Sequence, residues 1–185
     1  VFLLSRTSLE VERMPSIGDE VTIETRAYMP HRAVYQRMTT LYDESGAKLC
    51  EADARWVLVD TNTWRILRRE PEGFSTPMTD PPGAEEHTME VPPHGDLQPV
   101  TELLASYTLC DRNGHVNNSR YADIVFDCLP LEKLEKGPLK KLLLFYRSEI
   151  SMGSRFSICM APAGDGYFFT ATQGEAKNFE AYASF

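Results

Sequence analysis

Through the first seventy residues, apolar and polar positions alternate with a period of two, the mark of strands with one buried face. Thr7, Leu9 and Val11 close such a run over residues 2–13. Val21, Ile23 and Thr25 carry another over 20–28, and further runs cover 33–42 and 48–59. The polar stretches 43–46 and 60–63 read as turns, the second leading into a short strand at 64–66. No helical period occurs in this half. After residue 100 the pattern changes. A strand at 102–109 precedes a helix over about 119–129, with Asn117 or Asn118 as N-cap and Pro130 as the stop. Tyr121, Ile124, Val125, Phe126, Cys128 and Leu129 give that helix a broad apolar stripe. A short helix over 131–136, ended by Gly137-Pro138, and strands at 142–150, 155–161, 167–172 and 176–183 complete the half.

Between the halves, seven of the twelve prolines fall from Pro71 to Pro99, which predicts an extended surface linker. The expected organisation is therefore a first half over 1–70, a linker over 71–99 and a second half over 100–185. A faint repeat joins the halves. Ser16-Ile17-Gly18-Asp19-Glu20-Val21-Thr22-Ile23 parallels Ser151-Met152-Gly153-Ser154-Arg155-Phe156-Ser157-Ile158, 135 positions later, and in both copies a turn opens a strand.

Composition narrows the function classes. The chain has 185 residues and a net charge of −8, with 42% apolar and 25% charged residues. That is ordinary for a globular protein, and the acidic balance argues against general nucleic-acid binding. No apolar run nears the ~20 residues that span a bilayer, and no signal-peptide pattern is visible. Cys50, Cys110, Cys128 and Cys159 form no CxxC pair, so reduced and mostly buried thiols are expected, with no metal and no cofactor. His31, His87 and His94 fall in a turn or the linker and are expected to be exposed.

The densest polar constellation is Cys110-Asp111-Arg112-Asn113-Gly114-His115-Val116-Asn117-Asn118-Ser119-Arg120-Tyr121. Asp111, Asn113 and His115 alternate, so an extended or looping segment would point all three into one space, and Gly114 lets the backbone turn tightly between them. The helix that follows offers N–H groups and a positive dipole end, suited to an oxyanion. Without further information, a helix-capping loop with a surface histidine fits the same residues.

This stretch resembles the signature of the hot-dog thioesterases, and of the acyl-acyl-carrier-protein (acyl-ACP) thioesterase family in particular: Asp-x-Asn-x-His-Val-Asn-Asn-x-x-Tyr, with every fixed position present. Acyl-CoA thioesterase relatives share the Asp, the Gly-His-Val-Asn-Asn and the Tyr but usually lack the Asn, so Asn113 favours the carrier-protein family. The segments 9–15, 18–25 and 55–60 are similar to that family's first half, and Tyr146-Arg147-Ser148-Glu149 resembles the strand with its catalytic Glu. Plant members often follow that Glu with Cys; Ile150 stands here, which argues against a Cys–His mechanism.

The resemblance implies an α+β fold of two tandem hot-dog repeats, antiparallel sheets wrapped on central helices. The first repeat would lack its N-terminal strand and helix, roughly 40 residues judged against the second repeat. It implies hydrolysis of fatty acyl-ACP thioesters in fatty acid biosynthesis, with an acyl-CoA thioesterase or a non-catalytic acyl-binding protein as alternatives. Glu149 is the expected general base, Asn113 fixes water or the carbonyl, His115 assists proton transfer and Asp111 orients either one. Backbone N–H groups of Val116 and Asn117 are expected to hold the oxyanion. The first half lacks the motif, so one active site per chain is expected, with Val34, Met38, Leu41 and Trp56 lining the acyl pocket. The partner would be an acidic carrier protein bearing phosphopantetheine. Residues 131–147 carry a net +3, and Lys140, Lys141 and Arg147 are the docking candidates, although ordinary solvated lysines fit equally. A homodimer is compatible with the pattern. The expected location is cytoplasmic, or the plastid stroma for a plant protein.

Overall fold

The computed structural model describes residues 1–74, 78 and 87–185. Most of the expected linker's middle lies outside these. The chain forms two compact units, Val1–Thr88 and Met89–Phe185.

In the first unit, β1 (Phe2–Val11), β2 (Val21–His31), β3 (Val34–Asp43) and β4 (Lys48–Leu58) lie antiparallel in the order β2-β3-β4-β1. The predicted strands are all present; residues 64–66 contribute only a bridge from Ile66 to Val59. Alternation gives the sheet two different faces. One carries Ile23, Leu41, Trp56 and Leu9, placed on the same side by the strand register, with Ile23 directly opposite Leu41. The other carries Met38, Thr40, Glu51, Asp53, Arg55 and Ser8. Ser8 and Asp53 are fully buried on that second face. Arg55 donates to Asp53 from Nη2 at 2.9 Å and from Nε at 3.2 Å. The pair is completed by His87, whose N–H donates to Asp53 at 3.2 Å and whose carbonyl accepts from Arg55 at 3.1 Å. The His87 ring lies between Ser8 Oγ at 3.1 Å and Glu51 Oε2 at 3.0 Å. His87 is thus buried and not exposed as expected, because a sheet face this polar needs a partner for every buried group.

In the second unit the order is β6-β9-β8-β7-β5, built from β5 (Gln98–Leu104), β6 (Lys141–Tyr146), β7 (Arg155–Ala163), β8 (Gly166–Gln173) and β9 (Ala176–Ser184). β6 to β9 therefore repeat the order of β1 to β4. The helix α1 (Arg120–Cys128) lays Tyr121 on Phe179 with ring centroids 4.5 Å apart, and edge-on to Tyr146 at 5.6 Å. Ala171, Ala181 and Ala183 on β8 and β9 are fully buried. Their small side chains, in the same alternation set as Phe179, leave room for a helix to approach. The opposite face packs Phe145, Phe168 and Tyr182 under Met89 and Val91, and His94 stacks on Phe168 at 4.4 Å. The part of the expected linker from Met89 onward is thus packed core cover. A short α2 (Leu131–Lys136) follows α1. Among the described residues, no helix is long and apolar enough to cross a membrane.

Three element boundaries differ from expectation. The strand expected at 102–109 starts earlier and gives way to a 3-10 turn over Tyr107–Leu109. The helix N-cap is Ser119; Asn117 Oδ1 instead accepts from the N–H and Oγ of Ser119, closing the turn before the helix. The strand expected over 142–150 stops at Tyr146, so Glu149 stands in irregular backbone.

Candidate active site

The signature segment folds as a tight hairpin. Gly114, at φ +79°, takes the left-handed conformation that lets the chain reverse. The Asp111 N–H donates to the His115 carbonyl at 2.9 Å, and the Gly114 N–H to the Asp111 carbonyl at 3.0 Å. The hairpin is stitched to residues 150–152, where Val116 N–H reaches Ile150 O at 2.9 Å and Met152 N–H reaches Gly114 O at 2.8 Å. That stitching sets His115 beside Glu149, with Nδ1 and Oε2 3.2 Å apart.

Asp111 closes an Asx turn on Asn113, accepting its backbone N–H at 2.8 Å and its Nδ2 at 3.3 Å. The four expected catalytic residues therefore meet as two pairs, Asp111 with Asn113 and His115 with Glu149. The expected tight turn at Gly114 is present, and it divides the residues into pairs where one shared space was expected. Glu149 stands beyond the end of β6, and its side chain is 55% exposed.

The expected oxyanion donors require correction. The Val116 N–H is taken by Ile150 O, and the Asn117 N–H by Leu109 O at 2.9 Å. Both serve the hairpin. Among the described residues, the N–H of Asn118, next along toward α1, meets no acceptor.

Cys110 holds its thiol 3.8 Å from the Ala105 carbonyl. Burial, then the charge of Asp111, pushes that thiol above its ordinary range, the wrong direction for a nucleophile. Tyr121 is pushed up chiefly by burial, with Tyr146, Glu149 and Cys110 adding to it. It is a buried wall beside the site. All four cysteines are free and half-buried, more exposed than expected.

The expected pocket-lining residues divide between two faces. Trp56 lines an apolar cleft of about 250 Å³ in the first unit with Phe2, Ala27, Tyr35 and Met78. Leu41 shares the sheet face of Trp56, whereas Val34 and Met38 belong to the other face, Met38 opposite Asp53. The docking trio is likewise dispersed. Lys140 precedes β6, Lys141 begins it and Arg147 follows its end, about 20 Å away at strand rise. Arg147 is bound to Glu180 at 2.7 Å, a carboxylate that Lys177 also holds at 2.7 Å.

Asn178 and Gln173 escaped the sequence reading. Asn178 holds the Glu149 carbonyl, and Gln173 accepts from Asn178 while donating to Ser154 Oγ. Asn178 carries a local signal, since asparagine is a poor strand former yet sits inside β9.

Comparison with known proteins agrees with the resemblance. Residues 1–76 match the acyl-ACP thioesterase N-terminal domain and residues 98–180 its C-terminal domain. A chloroplastic palmitoyl-acyl carrier protein thioesterase of Arabidopsis thaliana is 24% identical over 192 residues, covering 96% of this chain and 45% of its own length. A chloroplastic oleoyl-acyl carrier protein thioesterase of the same plant is 26% identical over 161 residues, covering 80% and 44%. The chain thus spans less than half the length of these relatives. The acyl-ACP thioesterase of Bacteroides thetaiotaomicron superposes with a TM-score of 0.83 at 23% identity, over 100% of this chain and 76% of its own. The 12:0-ACP thioesterase of Umbellularia californica gives 0.78 at 22%, over 100% and 74%. At such identities the likeness establishes the fold, a mostly antiparallel hot-dog architecture with few helices. With both domain matches in sequence order along one chain, this protein belongs to the acyl-ACP thioesterase family.

Proposed function

We propose that this chain carries the catalytic centre of a thioesterase that hydrolyses fatty acyl-ACP to a free fatty acid and holo-ACP. The observation that carries the reading is the 3.2 Å contact between His115 Nδ1 and Glu149 Oε2, beside the Asp111–Asn113 turn at the entry to α1. A carboxylate on Nδ1 selects the tautomer with the proton there and leaves the Nε2 lone pair free to take a proton. This moves the general base from Glu149 to His115. Nε2 removes a proton from water as its oxygen attacks the thioester carbonyl. The oxyanion forms near the start of α1, where the Asn118 N–H is the proposed donor. Collapse breaks the C–S bond, and Nε2–H returns the proton to the leaving sulfur. Glu149 stabilises the transient imidazolium. Asn113, its Nδ2 held by Asp111, keeps its amide oxygen for the attacking water.

The test is thiol release from acyl-ACP and acyl-CoA across several chain lengths. Turnover of acyl-ACP that falls about 10²–10⁴-fold in His115→Ala, and by about a hundredfold in Glu149→Gln, supports the reading. Equal or better turnover of acyl-CoA transfers it to the coenzyme A class. Acyl binding without thiol release makes the protein a carrier. The name of the carrier-protein substrate rests on Asn113 and on the relatives' activities.

A further inference from the structure

Glu149 does not lie in a strand, so something other than a ladder must hold it. Its neighbours show what does. The backbone carbonyl of Asn178 accepts from two successive N–H groups, Arg147 at 2.9 Å and Ser148 at 3.1 Å. The Asn178 side chain then reaches past them: Nδ2 donates to Ser148 Oγ at 3.0 Å, to the Glu149 carbonyl at 3.2 Å and to Gln173 Oε1 at 3.2 Å. Beyond Glu149, Val116 N–H takes the carbonyl of Ile150. The peptide that follows Glu149 is therefore held through its carbonyl, and the chain is pinned on either side, at the Arg147 and Ser148 N–H groups and at the Ile150 carbonyl. Fixing the backbone there sets the Cα–Cβ direction and limits the rotamers open to Glu149, whose carboxylate lies 3.2 Å from His115 Nδ1.

The identity of the side chain matters. Asn178 is 3% exposed, and its Oδ1 is buried with no hydrogen-bond partner. A buried unpaired carbonyl is destabilising, and an apolar residue of similar size would avoid it. What leucine lacks is the N–H pair that reaches the Glu149 carbonyl. Aspartate would lack it too and would set a carboxylate against that carbonyl and Gln173 Oε1. Gln173 extends the brace, donating from Nε2 to Ser154 Oγ at 2.8 Å, so both ends of the stretch from 147 to 154 are held.

We infer that Asn178 is a positioning residue for catalysis: its side-chain amide fixes the Glu149 backbone so that the carboxylate stays on His115. The inference rests on the thioesterase reading above and names a residue that touches neither substrate nor the reacting atoms.

The experiment is a double-mutant cycle on the whole chain, using thiol release from acyl-ACP. Asn178→Leu should lower kcat about 10- to 100-fold with KM little changed, the size expected from a misplaced catalytic group. In the Glu149→Gln background the same substitution should cost less than about twofold, because the group it aims is already gone. The pH profile of kcat/KM in Asn178→Leu should converge on that of Glu149→Gln. Ser148→Ala, which spares the contact to the Glu149 carbonyl, should keep kcat within about threefold and serves as the folded control if Asn178→Leu is unstable. A loss in the double mutant equal to the product of the single losses overturns the inference and makes Asn178 a purely structural residue. So does full kcat in Asn178→Leu. Full activity in Glu149→Gln removes Glu149 from the mechanism and the inference with it, whereas absence of thiol release from the parent chain overturns the thioesterase reading itself, which separates the two failures.

Discussion

At the scale of single residues, the site is a set of side chains whose roles follow from their contacts. Cys110 is the clearest case. It sits next to Asp111, where a thiol nucleophile would be sought, yet burial and the neighbouring carboxylate raise its pKa. Cys110→Ala should therefore keep kcat within about twofold, and loss of thiol release in that variant would reinstate a thiolate mechanism. Asp111, Asn113 and His115 stood out in the sequence because they fall within five positions, but the family resemblance was needed to prefer catalysis over a helix-capping loop, and Glu149 came from that resemblance alone. The turn at Gly114 was legible, but the division into pairs was not, since it depends on the stitching of that turn to residues 150–152. Asn178 and His87 were harder still. Asn178 meets its partner Glu149 29 positions away, and His87 meets Ser8 79 away. A histidine in a polar, proline-rich stretch reads as solvated until the fold places a buried serine and two carboxylates around it.

At the scale of elements, the alternation of apolar positions located every long strand, and the misreadings have local causes. β5 begins at Gln98, before Pro99, inside what composition marked as linker. A proline is tolerated there because β5 lies at the end of its unit's strand order, where its missing N–H breaks no ladder on the open side. β6 ends early because the Asn178 carbonyl takes two consecutive N–H groups, a bulge that no residue type announces. The β8–β9 pair has a tighter constraint. At Gly166, opposite Ser184, an added Cβ would stand 2.0 Å from the Ala183 carbonyl oxygen. Backbone cannot yield as a flexible side chain would. Gly166→Ala should cost more than about 2 kcal/mol in urea unfolding. A midpoint within error of the parent would show that the two strands separate there at little cost.

Across the whole molecule, the two units use one strand order but divide the chemistry unequally. The Asp-x-Asn-x-His run occurs once, in the second unit, while the matching sheet of the first carries a buried polar cluster of another kind. Each unit also holds a carboxylate kept acidic by its partners. Burial pushes Glu51 up, but hydrogen bonds from His87 and Thr40 and the charge of Lys48 outweigh it, so its pKa is lowered. Burial likewise opposes the lowering of Glu180, and Lys177 and Arg147 prevail. A carboxylate more acidic in the folded than in the unfolded chain contributes stability fully above the unfolded pKa, near 4.3 for Glu. That contribution disappears as pH falls through the folded value, where the native state must also take up the proton. Stability should therefore decline with acidification from about pH 5 downward, and Glu51→Gln and Glu180→Gln should each flatten that decline while lowering stability at pH 7. The two carboxylates share no partner, their ion pairs lying with Lys48 and His87 in one unit and with Arg147 and Lys177 in the other. Their effects on the slope should then add, within about 0.5 kcal/mol at each pH. Urea titrations of both single variants and the double variant at pH 7, 5 and 4 measure this directly. A double variant no flatter than either single one would mean that the acid sensitivity resides in other groups, such as the half-buried carboxylates Asp43 and Asp60, whose pKa values are also lowered.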